Sequence, residues 1–321
     1  SSTGPSTADA DILASTRAGS VLLLGNSTAS VTSMAKITAR ARRAARPPKG
    51  TKTLLAVDQE GGLVQRLKGA GFDAIPAAVD QAEYDNRTLA AKANRWGRQL
   101  RRAGIDANLA PVADVVPKVA RSRNQPIAQL RRGFGSDPQL VASKVGAFVS
   151  GMHEAHVATT VKHFPGLGLV EGNTDYESDV VDRVTRRRDG LLAGFARGVE
   201  AGADMVMVSS ATYLKIDATR RATFSPAVLR TMIRGDLKFS GVIISDDLAA
   251  QAMHDLSPVA RLVRFVSAGG DLAIIGDPRI AEAAAGALVD EARRDPSLAK
   301  LVTGSAGRVL ELKDRHNLAS C

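Results

Sequence analysis

The sequence contains one cysteine in 321 residues, few aromatic residues and no long hydrophobic run. The cysteine is the last residue, Cys321, so an internal disulfide bond is excluded and cysteine usage does not reveal the redox compartment. No stretch approaches the roughly 18 apolar residues that a membrane-spanning helix needs. With 44% hydrophobic residues, the composition is that of an ordinary globular protein, and no membrane span is predicted.

Several catalytic signatures are also missing. No G-x-G-x-x-G follows the first predicted strand, and there is neither a P-loop nor a G-x-S-x-G elbow. Four of the five histidines are scattered singly without metal-ligand spacing, so a zinc site is not expected. We therefore predict no metal and no cofactor.

The chain is basic, with 43 Lys and Arg residues against 33 Asp and Glu residues, a net charge of +10. Much of the excess lies at 40–46 and 186–188, between the periodic segments. Only 4% of residues are aromatic and no recognition motif appears, so nucleic-acid binding is not predicted. We expect the basic residues to lie on solvated helix faces. The charge is compatible with an anionic polymer or an envelope surface as a neighbour.

Short apolar runs alternate with helix-like segments along the whole chain. Strands are predicted at 21–24, 53–57, 107–110, 159–162, 205–208, 242–245 and 272–275. Helices are predicted at 29–46, 80–103, 138–156, 188–202, 225–236, 257–269, 278–294 and 297–315, and proline marks the start of those at 138 and 225. Continuous apolar runs, rather than alternating ones, are typical of parallel strands that are covered on both faces.

This alternation predicts an α/β fold, a TIM-type (β/α)8 barrel that is one strand short of eight. The rival is a doubly wound open sheet, which the missing glycine fingerprint disfavours. We expect the first barrel strand to precede Ser1, where the opening residues 1–6 look like a loop entered within a fold. No linker or shift in composition interrupts the chain, so a single domain over 1–321 is predicted.

Charged and polar residues cluster directly after the carboxyl ends of the predicted strands. They are Asp58, Glu60, Asp114, Lys162, His163, Asp246 and Asp247. The carboxyl ends of barrel strands form the active face of such a fold. A lysine and a histidine at the end of a buried strand are costly unless a polar group meets them. The sequence therefore predicts a functional site at this face.

Each of these motifs also has a purely structural interpretation. Asp58 could bridge to Arg66 and support the loop between them, and Lys162 and His163 could be a satisfied buried pair. Arg132, in a glycine-rich loop, could lie on the surface. Adjacent residues point apart, so we expect Asp247 to cap the next helix while its neighbour faces the pocket.

Together, four ordered motifs resemble glycoside hydrolase family 3. They are Asp-Gln-Glu-Gly-Gly at 58–62, Arg-Gly-Phe-Gly-Ser-Asp-Pro at 132–138, Lys-His-Phe-Pro-Gly at 162–166 and Ser-Asp-Asp-Leu at 245–248. The resemblance covers nearly the whole chain and is strongest to single-domain bacterial β-N-acetylglucosaminidases. It implies a TIM-type barrel whose first strand lies just before the start of this chain.

The resemblance also implies an activity, that of a retaining exo-β-glycosidase. The expected enzyme is a β-N-acetylhexosaminidase acting on peptidoglycan- or chitin-derived sugars, so carbohydrate is the expected partner. Asp246 matches the catalytic nucleophile, which forms a covalent glycosyl-enzyme intermediate. The residues that match the sugar-binding −1 subsite are Asp58, Arg66, Arg132, Lys162 and His163.

The departure from the family pattern is at the acid/base. The family loop carries Asp-Ser-His after the Lys-His-Phe-Pro-Gly motif, whereas this chain has Asn173, Thr174 and Asp175. A neutral imidazole needs an orienting partner and a carboxyl does not, so Asp175 is the predicted acid/base, its pKa raised by burial or by the nucleophile. Glu171 and Glu177 are alternatives on the same loop, whose glycines predict a mobile segment that closes on substrate.

Four questions stay open from the sequence. Loss of the family's Asp and His leaves a catalytically impaired sugar-binding homologue as the alternative function. Ser209 and Ser210 stand near a position where relatives commonly carry histidine, which implies a changed pocket. The Ala- and Arg-rich composition predicts an extracytoplasmic protein, secreted or in the cell envelope, with a cytoplasmic recycling enzyme as the alternative. The oligomeric state is not determined by the sequence.

Overall fold

A parallel sheet forms the centre of the protein, and the computed structural model describes residues 5–319. Cys321 and residues 1–4 lie outside the described residues. The strands of the sheet are β1 (Ser20–Leu23), β2 (Leu54–Val57), β3 (Ala107–Asn108), β4 (Ala158–Phe164), β5 (Met205–Val208), β6 (Val242–Asp247) and β7 (Leu272–Ile274). Each is hydrogen-bonded in parallel to the next along the chain.

This strand order confirms the predicted TIM-type barrel. A doubly wound sheet would reverse its order at a switch point, and here the spatial order follows the chain from β1 to β7 in a nearly closed sheet. The described residues hold seven strands of the sheet. The eighth strand, expected before Ser1, stays a prediction.

Helices separate the strands and cover the outside of the sheet. They are α1 (Thr7–Ser15), α2 (Val31–Ala45), α3 (Ala78–Gln81), α4 (Asn86–Arg102), α5 (Pro138–Glu154), α6 (Ala193–Glu200), α7 (Pro258–Ala268), α8 (Pro278–Arg294) and α9 (Pro296–Arg315). A π-helix, Ala227–Asp236, occupies the position before β6, and 3-10 turns lie at Gly190–Leu192, Ala222–Phe224 and Gln251–Met253. The predicted start of α5 is confirmed, because the side chain of Asp137 accepts a hydrogen bond from the backbone of Gln139.

Two predictions of secondary structure were wrong. The single helix expected at 80–103 is two helices, α3 and α4, because Asp85 starts α4 anew by accepting a 2.8 Å hydrogen bond from the Thr88 backbone. The pattern also missed α1 and several short strands outside the barrel. These form a hairpin, Gln59–Gly61 with Val64–Gln65, and a small sheet of Val181–Asp182, Thr212–Tyr213 and Asp217–Arg221. Strands of two to five residues are too short to produce a periodic signal.

Two apolar layers stabilise the sheet. Alternate strand residues fill the barrel interior, among them Leu54, Ala56, Met205, Met207, Val242 and Ile244. The residues between them, such as Leu55, Val206 and Ile243, pack outward against the helices. This two-sided burial explains the continuous apolar runs in the sequence and fixes the direction in which each strand end projects its polar residues. Among residues 5–319, no helix is long and apolar enough to cross a membrane.

Candidate active site

The polar residues predicted from the strand ends do meet at one end of the barrel. Asp58 follows β2 directly, Lys162 and His163 belong to the last part of β4, and Asp246 lies near the end of β6. Because all barrel strands run parallel, these ends share one face of the sheet.

A buried ion-pair network joins three of these segments. The Nζ atom of Lys162 lies 2.7 Å from Oδ1 of Asp58 and 2.7 Å from Oε1 of Glu60. Arg132 binds the same glutamate with two nitrogens, Nε at 2.9 Å from Oε2 and Nη2 at 2.8 Å from Oε1. The side chain of Arg132 is 13% exposed, so this arginine belongs to the site and not to the surface. Glu60 is therefore the common anchor of the two cations.

Glu60 and Lys162 stay charged although both are buried. Burial alone would raise the pKa of Glu60, but the charges of Arg132 and Lys162 outweigh it and hold the pKa well below its ordinary value. Burial alone would lower the pKa of Lys162, and Asp58 and Glu60 reverse that effect and raise it. Glu60 and Lys162 are thus both ionised near neutral pH.

His163 is oriented by a residue to which the sequence assigned no role. Its Nδ1 lies 2.8 Å from Oδ2 of the fully buried Asp114, and its backbone N–H donates to Oδ1 at 3.2 Å. Its Nε2 lies 3.3 Å from Nη2 of Arg132. Arginine can only donate, so these contacts fit an imidazole that carries its hydrogen on Nδ1 and accepts at Nε2.

Asp246 is partly buried and forms no ion pair within the described residues. Its Oδ1 accepts a 2.9 Å hydrogen bond from the backbone of Asp247. Burial raises the pKa of the Asp246 carboxyl and the negative charge of Asp175 raises it further, whereas His163 and, less strongly, the backbone N–H of Asp247 and the charge of Lys162 lower it. Because the carboxylate forms no ion pair at this face, it remains able to meet a ligand.

Asp247 does not cap a helix as predicted. Its Oδ1 accepts hydrogen bonds of 2.8 Å from the backbones of Ala249 and Gly276. The carboxylate therefore closes a tight turn and ties it to the end of β7, while Ala250 stands at the start of the following 3-10 turn. The expectation that the two adjacent aspartates act separately is consistent with these contacts.

Asp175 is exposed on the loop after β4, and its charge reaches Asp246. Its backbone N–H donates to Oδ1 of Asn173 at 3.0 Å, so Asn173 forms a local turn where the family carries an orienting aspartate. Backbone hydrogen bonds from Gln251 to Asp175 and from Ala252 to Thr174 join this loop to the segment after β6. The loop is thereby held beside the end of the strand that carries Asp246.

The two glutamates considered as alternatives have other contacts. Glu171 forms a 3.2 Å ion pair with Arg123, and Oε1 of Glu177 accepts a 3.3 Å hydrogen bond from the Asn173 backbone. Neither is among the main groups that shift the pKa of Asp246, whereas Asp175 is.

Arg66 does not bridge to Asp58, so the structural interpretation of that pair is wrong. No ion pair joins the two side chains in the described residues, and the buried Nε of Arg66 has no hydrogen-bond partner there. The hydroxyl of Ser210, buried after β5, is also unpartnered, whereas that of Ser209 accepts from the Ala211 backbone at 3.0 Å. Arg66 and Ser210 thus each present a polar atom without an internal partner.

The loop after β4 is anchored at its base. A Cβ on Gly168 would lie 1.7 Å from the carbonyl oxygen of Val115, so glycine is required there for close backbone packing. The hydroxyl of the buried Tyr213 donates a 2.8 Å hydrogen bond to the carbonyl of Gly166. Mobility of the rest of the loop stays a prediction.

Sequence reasoning missed the roles of three residues, Glu60, Asp114 and Tyr213. The role of Glu60 could have been predicted. It stands two residues after Asp58, and residues two apart in extended chain project to the same face. The partners of Asp114 and Tyr213 lie 47 or more residues away, where local patterns carry no information. Among residues 5–319, no group of three or more His, Cys, Asp or Glu side chains could hold a metal ion.

Comparison with known proteins places this chain in a family. The model of the glycosyl hydrolase family 3 N-terminal domain matches residues 2–312. A β-hexosaminidase of Stenotrophomonas maltophilia is 34% identical over 273 residues, which are 82% of this chain and 78% of that protein.

Solved structures agree with this match. A β-N-acetylhexosaminidase from Beutenbergia cavernae superposes with a TM-score of 0.95 and 40% identity, covering 98% of this chain and 94% of that one. A family 3 β-N-acetylglucosaminidase from a Paenibacillus species superposes with a TM-score of 0.87 and 29% identity, covering 99% of this chain and 61% of that one. The chain therefore belongs to glycosyl hydrolase family 3 and is a glycoside hydrolase.

Proposed function

We propose that this protein is a retaining exo-β-glycosidase that releases N-acetylhexosamine from peptidoglycan- or chitin-derived sugars. The observation that carries the proposal is the unpaired Asp246 carboxylate on the same barrel face as the network of Asp58, Lys162 and Arg132. The relatives named as β-hexosaminidase and β-N-acetylhexosaminidase support the choice of sugar.

In the proposed reaction, Asp246 acts as the nucleophile. Its carboxylate attacks the anomeric carbon of the terminal sugar as the glycosidic bond to the leaving oxygen breaks, which gives a covalent glycosyl-enzyme ester. Water then attacks the same carbon and releases the carboxylate. Two inversions give net retention. His163 and, less strongly, Lys162 favour the ionised nucleophile that the first step needs, against the effect of burial.

Asp175 is the proposed acid/base. It donates a proton to the leaving oxygen in the first step and takes a proton from the attacking water in the second. Its loop is hydrogen-bonded to residues 251 and 252, just after β6, which supports a position beside the nucleophile. A carboxyl does not need the orienting partner that an imidazole needs, so Asn173 is free to shape the turn.

The proposed −1 subsite consists of Asp58, Arg66, Arg132, Lys162 and His163. Oδ1 of Asp58 is held by Lys162, which directs its second oxygen toward a sugar hydroxyl. The unpartnered Nε of Arg66 is a donor for a sugar oxygen. Because the cations are fixed by Glu60, their donors are positioned before substrate arrives, which lowers the ordering cost of binding.

The test is turnover of a panel of 4-nitrophenyl β-glycosides with and without a 2-acetamido group. We expect the N-acetylglucosaminide to be the best substrate, with the β-anomer as the first product seen by NMR. Asp246→Ala should lower turnover by roughly 10³-fold or more, the scale for loss of a covalent nucleophile. The surface variant Asp290→Ala is the matched control. Unchanged turnover in Asp246→Ala, or an α-anomer as first product, would contradict the proposal.

A second candidate is a sugar-binding homologue with little or no turnover. The observation that favours it is the exposure of Asp175: the burial that was expected to keep its carboxyl protonated is not found. Calorimetry that detects N-acetylglucosamine or chitobiose binding, combined with no product over hours, would support this candidate. Retention of an unpaired Asp246 argues against it, because a pure binder does not need a nucleophile.

We also propose an extracytoplasmic location, with a single domain, on the sequence features given above. Fractionation of the native producing cells, followed by immunodetection of the protein, tests the location. Recovery in the cytoplasmic fraction alone would contradict it.

A further inference from the structure

The net positive charge of the chain is carried by two neighbouring helices. Together, α2 and α4 contain ten of the 43 basic residues and no acidic residue. The rest of the chain contains 33 basic and 33 acidic residues, so its net charge is zero. These two helices therefore hold as large an excess of basic residues as the whole chain, although Arg42, Arg95 and Arg101 pair with Asp73 and Asp106 beside them.

The two helices lie against each other. The hydroxyl of Thr38 in α2 donates a 2.8 Å hydrogen bond to the carbonyl of Ala103, at the end of α4. Nη2 of Arg42 donates to the carbonyl of Gly104 at 3.0 Å. The two helices are therefore neighbours on this side of the barrel, and we call their outward faces together the α2–α4 surface.

A groove of about 600 Å³ lies along α4 in this surface, lined by the arginines of its last turns and by Gly71, Phe72 and Asp73. Arg95 pairs with Asp73 at 2.7 Å and Arg101 with Asp106 at 2.8 Å. Arg98 and Arg102 line the same groove, are exposed, and form no ion pair or hydrogen bond within residues 5–319. Two guanidinium groups are thus left to meet an external anion.

Several basic residues elsewhere are paired with acidic ones. Arg187 binds Asp236 with two nitrogens, at 2.6 Å and 2.7 Å. At the end of α8, Arg293 and Arg294 pair with Asp290 and Glu291 one turn earlier. On the α2–α4 surface the helices hold no acidic residue, and the ion pairs of Arg42, Arg95 and Arg101 are made with Asp73 and Asp106 outside them.

We propose that the α2–α4 surface binds a linear phosphodiester polymer. Guanidinium groups bind phosphate through paired N–H donors, and the groove matches a chain better than a flat layer. A membrane surface is disfavoured because none of the exposed large apolar side chains of the described residues lies on α2 or α4. Single-stranded nucleic acid is disfavoured because stacking of successive bases needs several accessible aromatic rings, and the groove lining holds one, the partly buried Phe72.

The position of the groove fits a tethering role. α4 leads into β3, so Arg98 and Arg102 lie toward the amino ends of the strands, away from the face that carries Asp246. A polymer bound there leaves the opening of the active site accessible. The inference depends on charge and geometry and does not rest on the proposed glycosidase activity.

The experiment measures binding of the full chain to immobilised poly(glycerol phosphate) at 50 to 300 mM salt. The variant Arg98→Gln/Arg102→Gln is compared with Arg293→Gln/Arg294→Gln, which loses the same charge from α8. We expect the first variant to bind roughly tenfold more weakly near 0.1 M salt. Its plot of log K against log salt should be less steep, with the magnitude of the slope reduced by about 1.5. The α8 variant should stay within about twofold of wild type, and both should hydrolyse a nitrophenyl glycoside as wild type does.

Three results would overturn the proposal. The first is an equal loss in both variants, which would mean that only net charge matters. The second is tighter binding to single-stranded DNA of matched charge than to poly(glycerol phosphate), which would assign the surface to nucleic acid. The third is tighter binding to vesicles of phosphatidylglycerol in phosphatidylcholine, which would assign it to a membrane.

Discussion

Asp114 holds His163 at two points, through a 2.8 Å contact to the ring Nδ1 and a 3.2 Å hydrogen bond from the backbone N–H. The oxygen that accepts from the His163 backbone also accepts from the backbone of Leu167 at 2.8 Å. Asp114 thus couples the end of β4 to the loop that carries Asp175. All of these partners donate, so both carboxylate oxygens are needed as acceptors.

Asp114→Asn should therefore impair the site without removing bulk. In asparagine, an NH2 group replaces one of the two carboxylate oxygens, and it cannot accept the hydrogen bond that is made there. Either the imidazole or the loop is therefore disturbed. A charge-assisted hydrogen bond contributes about 1.5–3 kcal/mol, so kcat/KM for a nitrophenyl glycoside should fall by roughly 10- to 100-fold. Steady-state kinetics measure this, and an unchanged kcat/KM would show that His163 is held by other contacts.

Asp246→Asn should raise stability while it removes activity. The folded pKa of Asp246 lies above its ordinary value, so the ionised carboxylate costs folding free energy at pH values above that ordinary value, 3.8. An amide removes the cost, and the melting temperature at pH 7 should rise by about 1–3 °C. The difference should shrink as the pH approaches 4, because wild type then gains its proton. Calorimetry at both pH values measures the change, and a lower melting temperature at pH 7 would contradict it.

Asp175→Asn should affect substrates according to their leaving groups. If Asp175 protonates the leaving oxygen, kcat/KM should fall by roughly 10²- to 10⁴-fold for alkyl glycosides and much less for 2,4-dinitrophenyl glycosides, which leave without a proton. Glu177→Gln, on the same loop, is the control. Equal losses for both kinds of substrate would assign Asp175 to binding and not to proton transfer.

Glu60→Gln should destabilise the fold strongly. It leaves Arg132 and Lys162 buried without their shared carboxylate, and breaking a buried pair costs about 3–5 kcal/mol. Because the folded pKa of Glu60 is depressed, this contribution is present above the unfolded pKa of about 4.3 and is lost as the pH falls below it. Urea unfolding at pH 7 measures the cost, and the exposed Glu171→Gln should change little. A cost below 1 kcal/mol would mean that water replaces the carboxylate.

Tyr213→Phe should loosen the base of the loop after β4. It removes the 2.8 Å hydrogen bond to the Gly166 carbonyl and keeps the ring, so the free energy of unfolding should fall by about 1 kcal/mol. The control is Tyr176→Phe, whose exposed ring should leave stability unchanged. Equal unfolding midpoints for both variants would show that the Tyr213 hydroxyl does not contribute.

The sequence by itself determined the alternation of strands and helices and the face on which the site lies. Both follow from local rules, because continuous apolar runs mark strands that are buried on both sides, and polar residues at their carboxyl ends must face one rim. Asp58, Lys162 and His163 could be assigned to the site on this basis. Asp246 was identified by motif and by the same position at a strand end.

Only the tertiary structure decided which of these side chains pair. Arg132 and Glu60 are 72 residues apart, and His163 and Asp114 are 49 apart, yet each pair is in hydrogen-bond contact. The same holds for Asp247: it was expected to cap a helix, but it accepts a hydrogen bond from the backbone of Gly276, just after β7. The physical reason is that a local pattern specifies the direction of a side chain, whereas its partner is set by how strands and loops from distant parts of the chain pack together.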